Sequence, residues 1–108
     1  MPQGATKTNA ACRQIYPIVI GAIKAWNDAS VADSRSALQS AALGLSKAAE
    51  SAPTLAKGSG DARLISLTAD VSARLKGVVT SYANEEAVDG GPLTESADAL
   101  WAYCGSGR

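Results

Sequence analysis

The residue types that carry enzyme chemistry are sparse in this chain of 108 residues. Histidine is absent, which removes the commonest general base and excludes Ser-His-Asp and Cys-His nucleophile arrangements. Two cysteines without histidine cannot form a standard structural zinc site, and the sequence contains no glycine-rich phosphate-binding motif. We therefore predict a protein that is not an enzyme, with no catalytic residues, no metal site and no cofactor.

The cysteines suggest a covalent link between the two ends of the chain. Cys12 and Cys104 both fall on apolar helical stripes, and helices of alternating direction would bring the two to the same end of a bundle. We predict a Cys12–Cys104 disulfide, which implies an oxidising compartment and hence a secreted or cell-surface protein. The alternative is two unrelated buried cysteines in a cytosolic protein, because cysteine packs as a small hydrophobe.

The acidic side chains gather near the C-terminus. Residues 83–100 contain no base and five acids, namely Glu85, Glu86, Asp89, Glu95 and Asp98. One interpretation is a solvated turn and helix start, since carboxylates suit helix N-termini. The other is a docking patch for a basic partner, in which Glu85, Glu86 and Asp89 bind.

Aromatic residues add two candidate binding positions. Trp101 and Tyr103 lie on the flanks of the last predicted helix, where exposed aromatics would anchor a partner protein. Tyr16 immediately precedes Pro17. Trp26 ends the first apolar stripe, a position at which a residue usually belongs to the hydrophobic core. A kink at Pro17 would open a ligand pocket that Tyr16 and Trp26 line.

Positioning these residues requires helices. Apolar residues recur at spacings of three and four in four segments, and no run alternates as a strand does. The fold class predicted is all-α: one domain over residues 1–108, folded as a four-helix up-down-up-down bundle, with residues 1–8 as a loose leader. The predicted stripes are Cys12, Ile15, Val19, Ala22 and Trp26; Leu38, Ala41, Leu45, Ala48 and Ala52; Leu64, Thr68, Val71, Leu75, Val78 and Tyr82; and Leu93, Ala97, Leu100 and Cys104.

Turn and proline signals place the helix ends. The first helix is expected to run from Asn9 to about Asp28, with either a kink at Pro17 or a break there. Pro53 is expected to end the second helix, because the residue before a proline is pushed out of the helical region. The third helix should start near Asp61, and Pro92 suits the first turn of the fourth.

Charge and hydropathy exclude two classes of partner. Ten basic and ten acidic residues cancel, so there is no overall charge signal for nucleic acid. The longest apolar run, residues 15–23, is far shorter than the ~20 residues of a membrane span. Whether a signal peptide or lipid anchor precedes Met1 stays open.

The two cysteine contexts resemble a known group of proteins. Ala10-Ala11-Cys12 opening a helix and Ala102-Tyr103-Cys104-Gly105 closing the last one resemble the mature parts of small secreted or lipid-anchored helical proteins of high-GC actinobacteria. A haemophore-like subgroup has a similar terminal cysteine pair. Without histidine, a haem ligand in this chain would have to be tyrosine.

These observations lead to three function hypotheses. The first is a non-enzymatic extracytoplasmic bundle that acts as a protein-interaction module and binds another protein through a surface. The second is a small carrier of an apolar ligand or haem. The third is a cytosolic regulator of the antitoxin or immunity type, which free thiols would favour.

Overall fold

The architecture is entirely helical. The computed structural model describes residues 3–105, and the side chains of residues 7–105. Within this part of the chain there are four helices and no strand: α1 Gln3–Ala32, α2 Arg35–Ser59, α3 Ala62–Ala83 and α4 Gly91–Tyr103. Each helix packs on the next along the chain, which confirms the predicted all-α bundle.

Contacts between distant residues define two ends of the bundle. The disulfide end holds Cys12, Asp61 and Cys104, and the disulfide brings the Cα atoms of its two cysteines to 5.9 Å. The open end holds Trp26 and Tyr82, whose rings meet at 5.4 Å between centroids. Successive helices therefore run in opposite directions between the two ends.

Most residues of the predicted stripes form the core, whereas Leu38 and Tyr82 are half-buried and lie outside it. Cys12, Ile15 and Val19 of α1 are fully buried, and Trp26 packs half-buried against the same cluster. On α2 the buried stripe is mostly alanine, which lets neighbouring helices approach closely. Thr68 of α3 is fully buried, and its Oγ1 is a buried side-chain atom without a hydrogen-bond partner among the described residues.

Helix α1 is longer at both ends than the sequence pattern predicts. It begins at Gln3, so residues 3–8, expected as part of a loose leader, are helical; residues 1–2 lie outside the described part. Thr8 lies within α1 and donates its hydroxyl to the Asp61 carboxylate at 2.7 Å. At the other end Ser30 donates to the Trp26 carbonyl within the helix, and Ser34 caps α2 by accepting from the Ala37 N–H.

Pro17 does not break α1. The helix passes through it without interruption, so the predicted alternative of two separate helices is wrong. Proline cannot donate to the carbonyl of Arg13, but both residues are exposed and water can reach that carbonyl. A bend of the axis at Pro17 stays a prediction.

Pro53 does not end α2, contrary to expectation, and the neighbouring helix explains why. Because proline has no N–H, the Ala49 carbonyl loses its helical partner. Ser72 of α3 donates its hydroxyl to that carbonyl at 2.6 Å, and both residues are buried. Packing of α3 on α2 thus satisfies the group that the proline leaves unpaired, and the helix continues to Ser59.

Candidate functional site

A cleft of about 420 Å³ lies at the open end of the bundle. All four helices and the loop between α3 and α4 contribute to its walls, which are mostly apolar. The lining residues are Ile23, Trp26, Asn27, Ser30, Leu38, Leu45, Val78, Tyr82, Val88, Gly90, Leu93 and Thr94.

Two aromatic side chains form a pair in this cleft. Trp26 and Tyr82 are both half-buried, and their rings stand nearly perpendicular, at 84°. Edge-to-face contact of this kind fixes the orientation of each ring. The pair forms because each residue ends the apolar stripe of its helix, and α1 and α3 both end here.

The cleft lies at the end of the bundle where α4, the shortest of the four helices, begins. Helix α4 has 13 residues against 30 in α1, and the chain reaches it through residues 84–90, which we call the acidic loop. Contacts between α1 and α4 occur at the disulfide end, where Tyr16 meets Trp101 at 4.7 Å between ring centroids. At the open end Val88 of the acidic loop packs against the core only in part.

Backbone hydrogen bonds fix the start of the acidic loop. The Glu86 N–H donates to the Ser81 carbonyl and the Glu85 N–H to the Tyr82 carbonyl, the pattern of a Schellman motif. Glu85 has a φ of 57°, the left-handed conformation that normally favours glycine. The end of α3 therefore holds Tyr82 and Glu85 at defined positions.

The end of the loop is fixed by a side chain. Asp89 accepts a hydrogen bond from the Gly91 N–H at 3.0 Å, at the start of α4. Glu85, Glu86 and Asp89 are all exposed, and the ion pair found within residues 7–105, Lys24–Asp28, does not involve them. Their carboxylates therefore present net negative charge beside the cleft.

The structure separates the two parts of the predicted docking face. Glu85, Glu86 and Asp89 precede α4, whereas Trp101 and Tyr103 lie in its last turn, about 18 Å away along the helix axis. Trp101 is half-buried against Tyr16, and Tyr103 is 42% exposed. The acidic residues thus share the open end with Trp26, not with the aromatics of α4.

The two residues predicted to line a ligand pocket, Tyr16 and Trp26, are likewise separated. Trp26 lines the cleft, but Tyr16 lies at the disulfide end and does not. Tyr82 and Val88 line it without having been predicted as site residues. A signal for Tyr82 was present in the sequence, because it and Trp26 end stripes that an up-down bundle brings to the same end.

The disulfide end holds a polar cluster that the sequence analysis missed. Asp61 caps α3 by accepting from the N–H groups of Arg63 and Leu64, and its second oxygen accepts from Thr8 and Tyr103, each at 2.7 Å. The Thr8 hydroxyl and then the Tyr103 hydroxyl hold the pKa of Asp61 below its usual value, and burial opposes them. The same hydrogen bond raises the pKa of Tyr103.

The part of the chain that the structure describes contains no arranged set of metal ligands. No group of three or more Cys, Asp or Glu side chains there could hold a metal ion. Residues 3–105 also contain no helix that is long and apolar enough to cross a membrane.

Comparisons with protein-family models, curated proteins and solved structures give no match for this chain.

Proposed function

We propose that this chain is a non-enzymatic protein-interaction module that acts outside the cytoplasm and binds another protein through the cleft at the open end. The observation that carries the proposal is the cleft itself, where Trp26 and Tyr82 are accessible beside exposed acidic side chains. Half-buried aromatics that line a cleft are favourable anchors, since Trp and Tyr are enriched among the few residues that carry most of the binding energy in protein interfaces. The disulfide is compatible with an extracytoplasmic location.

Site-specific photo-cross-linking tests this proposal. A photoreactive amino acid at Thr94, an exposed residue that lines the cleft, should form a discrete protein adduct when the chain is expressed in its source organism. The matched control places it at Ser66, an exposed residue of α3 that does not line the cleft, and should give no such adduct. Equal labelling from both positions, or adducts with small molecules alone, would contradict the proposal.

The size of the cleft favours a second candidate, a carrier of a small apolar ligand. Its volume of about 420 Å³ is at the small end of ligand sites, which span ~300–1,000 Å³. Haem would have to use Tyr82, the tyrosine among the lining residues. Native mass spectrometry of the purified protein would favour this candidate by showing one equivalent of bound ligand, and Tyr82→Phe should remove bound haem.

The third hypothesis depended on free thiols. Cys12 and Cys104 are joined, so the condition that favoured a cytosolic regulator is not met.

A further inference from the structure

We infer that the partner segment recognised by the cleft is cationic and amphipathic, with one or two large apolar side chains flanked by Lys or Arg. This inference rests on the proposed function, because it names the chemistry of the protein that the module binds.

The apolar part follows from the cleft walls. Ile23, Leu38, Val78 and Leu93 surround the Trp26–Tyr82 pair, so an entering side chain meets carbon on several sides. Removing a Leu, Met or Phe side chain from water into such a cleft is favourable. The volume of about 420 Å³ admits one or two such side chains rather than a whole helix, so the remainder of the partner segment stays at the rim.

The cationic part follows from the charges at the open end. The acidic loop contributes Glu85, Glu86 and Asp89, and Glu95 follows in the second turn of α4. Asp33, in the connection between α1 and α2, adds another exposed carboxylate near Ser30, which lines the cleft. A cationic segment is attracted to this rim, and an acidic one is repelled.

Basic residues of this end offset only part of that charge. Lys24 pairs with Asp28 at 3.0 Å, and Arg35 begins α2. Arg74 lines a neighbouring groove of about 220 Å³ that Asp89 also lines, so among the three acids of the acidic loop Asp89 is the one that shares a groove with a base. Glu85 and Glu86 should therefore contribute more to cation binding than Asp89.

A designed peptide tests the inference directly. The probe is a short amidated peptide of lysine and leucine with one central phenylalanine. A Trp101→Phe variant leaves Trp26 as the sole tryptophan, so its emission reports on the cleft, while the affinity comes from calorimetry. We expect binding at one to one, weakened on the order of tenfold when the phenylalanine becomes alanine, and weakened further by salt as exposed charges are screened.

Charge variants of the protein separate specific from general attraction. Glu85→Gln with Glu86→Gln should weaken binding several-fold at low salt and flatten its salt dependence. The matched control, Glu50→Gln with Asp70→Asn, removes two exposed carboxylates that do not line the cleft and should leave the affinity unchanged. As single changes, Asp89→Asn should weaken binding less than Glu85→Gln or Glu86→Gln.

The outcomes distinguish this inference from the proposed function. The cationic partner would be contradicted if a peptide with glutamate in place of lysine bound with equal affinity, or if both pairs of charge variants lost affinity equally. A protein adduct formed from Thr94 would still support the proposed function in that case. If no peptide of either charge binds while a neutral apolar dye changes the Trp26 emission, the protein-interaction proposal itself falls in favour of the carrier.

Discussion

At the scale of single residues, Asp61 accepts hydrogen bonds from residues of three helices. Its carboxylate caps α3 and also accepts hydroxyl hydrogen bonds from α1 and α4. One side chain therefore joins three helices beside the disulfide. Because it is a carboxylate that accepts four hydrogen bonds, its contribution depends on pH.

Asp61 should make the protein less stable in acid. Its pKa is lowered in the folded state, so its contribution is present above its ordinary value of 3.8 and is lost as pH falls through the folded value. Urea unfolding from pH 7 down to pH 2 should therefore show a smaller loss of stability in Asp61→Asn than in the original chain. Asp98→Asn, an exposed carboxylate of α4, serves as the control and should leave the acid dependence unchanged.

Tyr103 should produce the opposite dependence at alkaline pH. Its pKa is raised above 10.0, chiefly because its phenol donates to Asp61. The stabilisation is complete below pH 10 and is lost as pH rises through the folded value. Tyr103→Phe should lower stability at pH 7 and flatten the alkaline limb; an alkaline limb identical in both proteins would show that the bond contributes nothing.

Glu85 has a left-handed backbone conformation that favours glycine over glutamate. A side chain in the left-handed region costs about 1–2 kcal/mol, and glycine avoids most of that cost. We expect Glu85→Gly to raise the free energy of unfolding by about 0.5–1 kcal/mol, measured by urea denaturation. Glu85→Gln removes the charge but keeps the conformation, so it should give little of this gain; a full gain in Glu85→Gln would assign the effect to charge repulsion.

At the scale of helices, the contact between α2 and α3 does more than bury apolar surface. Pro53 removes the helical donor for the Ala49 carbonyl, and Ser72 supplies a replacement from the neighbouring helix. The continuity of α2 past its proline is thus a property of the helix pair and not of α2 alone.

A double-mutant cycle should reveal this dependence. Ser72→Ala leaves the buried Ala49 carbonyl unpaired and should cost about 1–3 kcal/mol. In a Pro53→Ala background an N–H returns to that carbonyl, so the same Ser72→Ala change should cost measurably less. Urea denaturation of the four proteins gives the coupling energy, and equal costs in both backgrounds would disprove the compensation.

At the scale of the whole molecule, the bundle is a rod of 48 × 19 × 19 Å with two different ends. Its length matches a 30-residue helix, about 45 Å, so α1 sets the long dimension. One end is closed by a disulfide and the Asp61 hydrogen bonds. The other carries the cleft and the acidic loop, so the two ends of the rod differ in shape and in charge.

The disulfide should contribute a large share of the stability. It joins residues 92 positions apart, and closing so long a loop in the unfolded chain corresponds to about 4–5 kcal/mol in the chain-entropy treatment. Cys12→Ser with Cys104→Ser should lower the free energy of unfolding by several kcal/mol. Reductant should destabilise the original chain and leave the double variant unaffected; two alkylatable thiols in the native, non-reduced protein would contradict the bond.

Local periodicity was sufficient to predict much of this fold. The helical stripes from Cys12 to Cys104 could be derived because each depends on spacing within one helix, and the cysteine pairing followed from stripe phase and alternating direction. The starts of α3 after Asp61 and of α4 at Pro92 were also predicted, whereas the ends of α1 and α2 were not. Pro53 was predicted to end α2, because propensity describes a lone helix and the Ser72 hydroxyl comes from 19 residues further along the chain.

The candidate site depended more on tertiary structure. The acidic residues and Trp26 were each recognisable as candidates in the sequence, but their neighbours in space were not. Trp101 and Tyr103 lie at the other end of α4 from the acidic loop, and Trp26 packs against Tyr82. Sequence by itself determined which residues each helix turns inward, because that follows from the 3.6-residue period. Only the tertiary structure decided where the cleft opens, because its walls come from all four helices and from the acidic loop, and their meeting depends on the lengths and packing of all these elements.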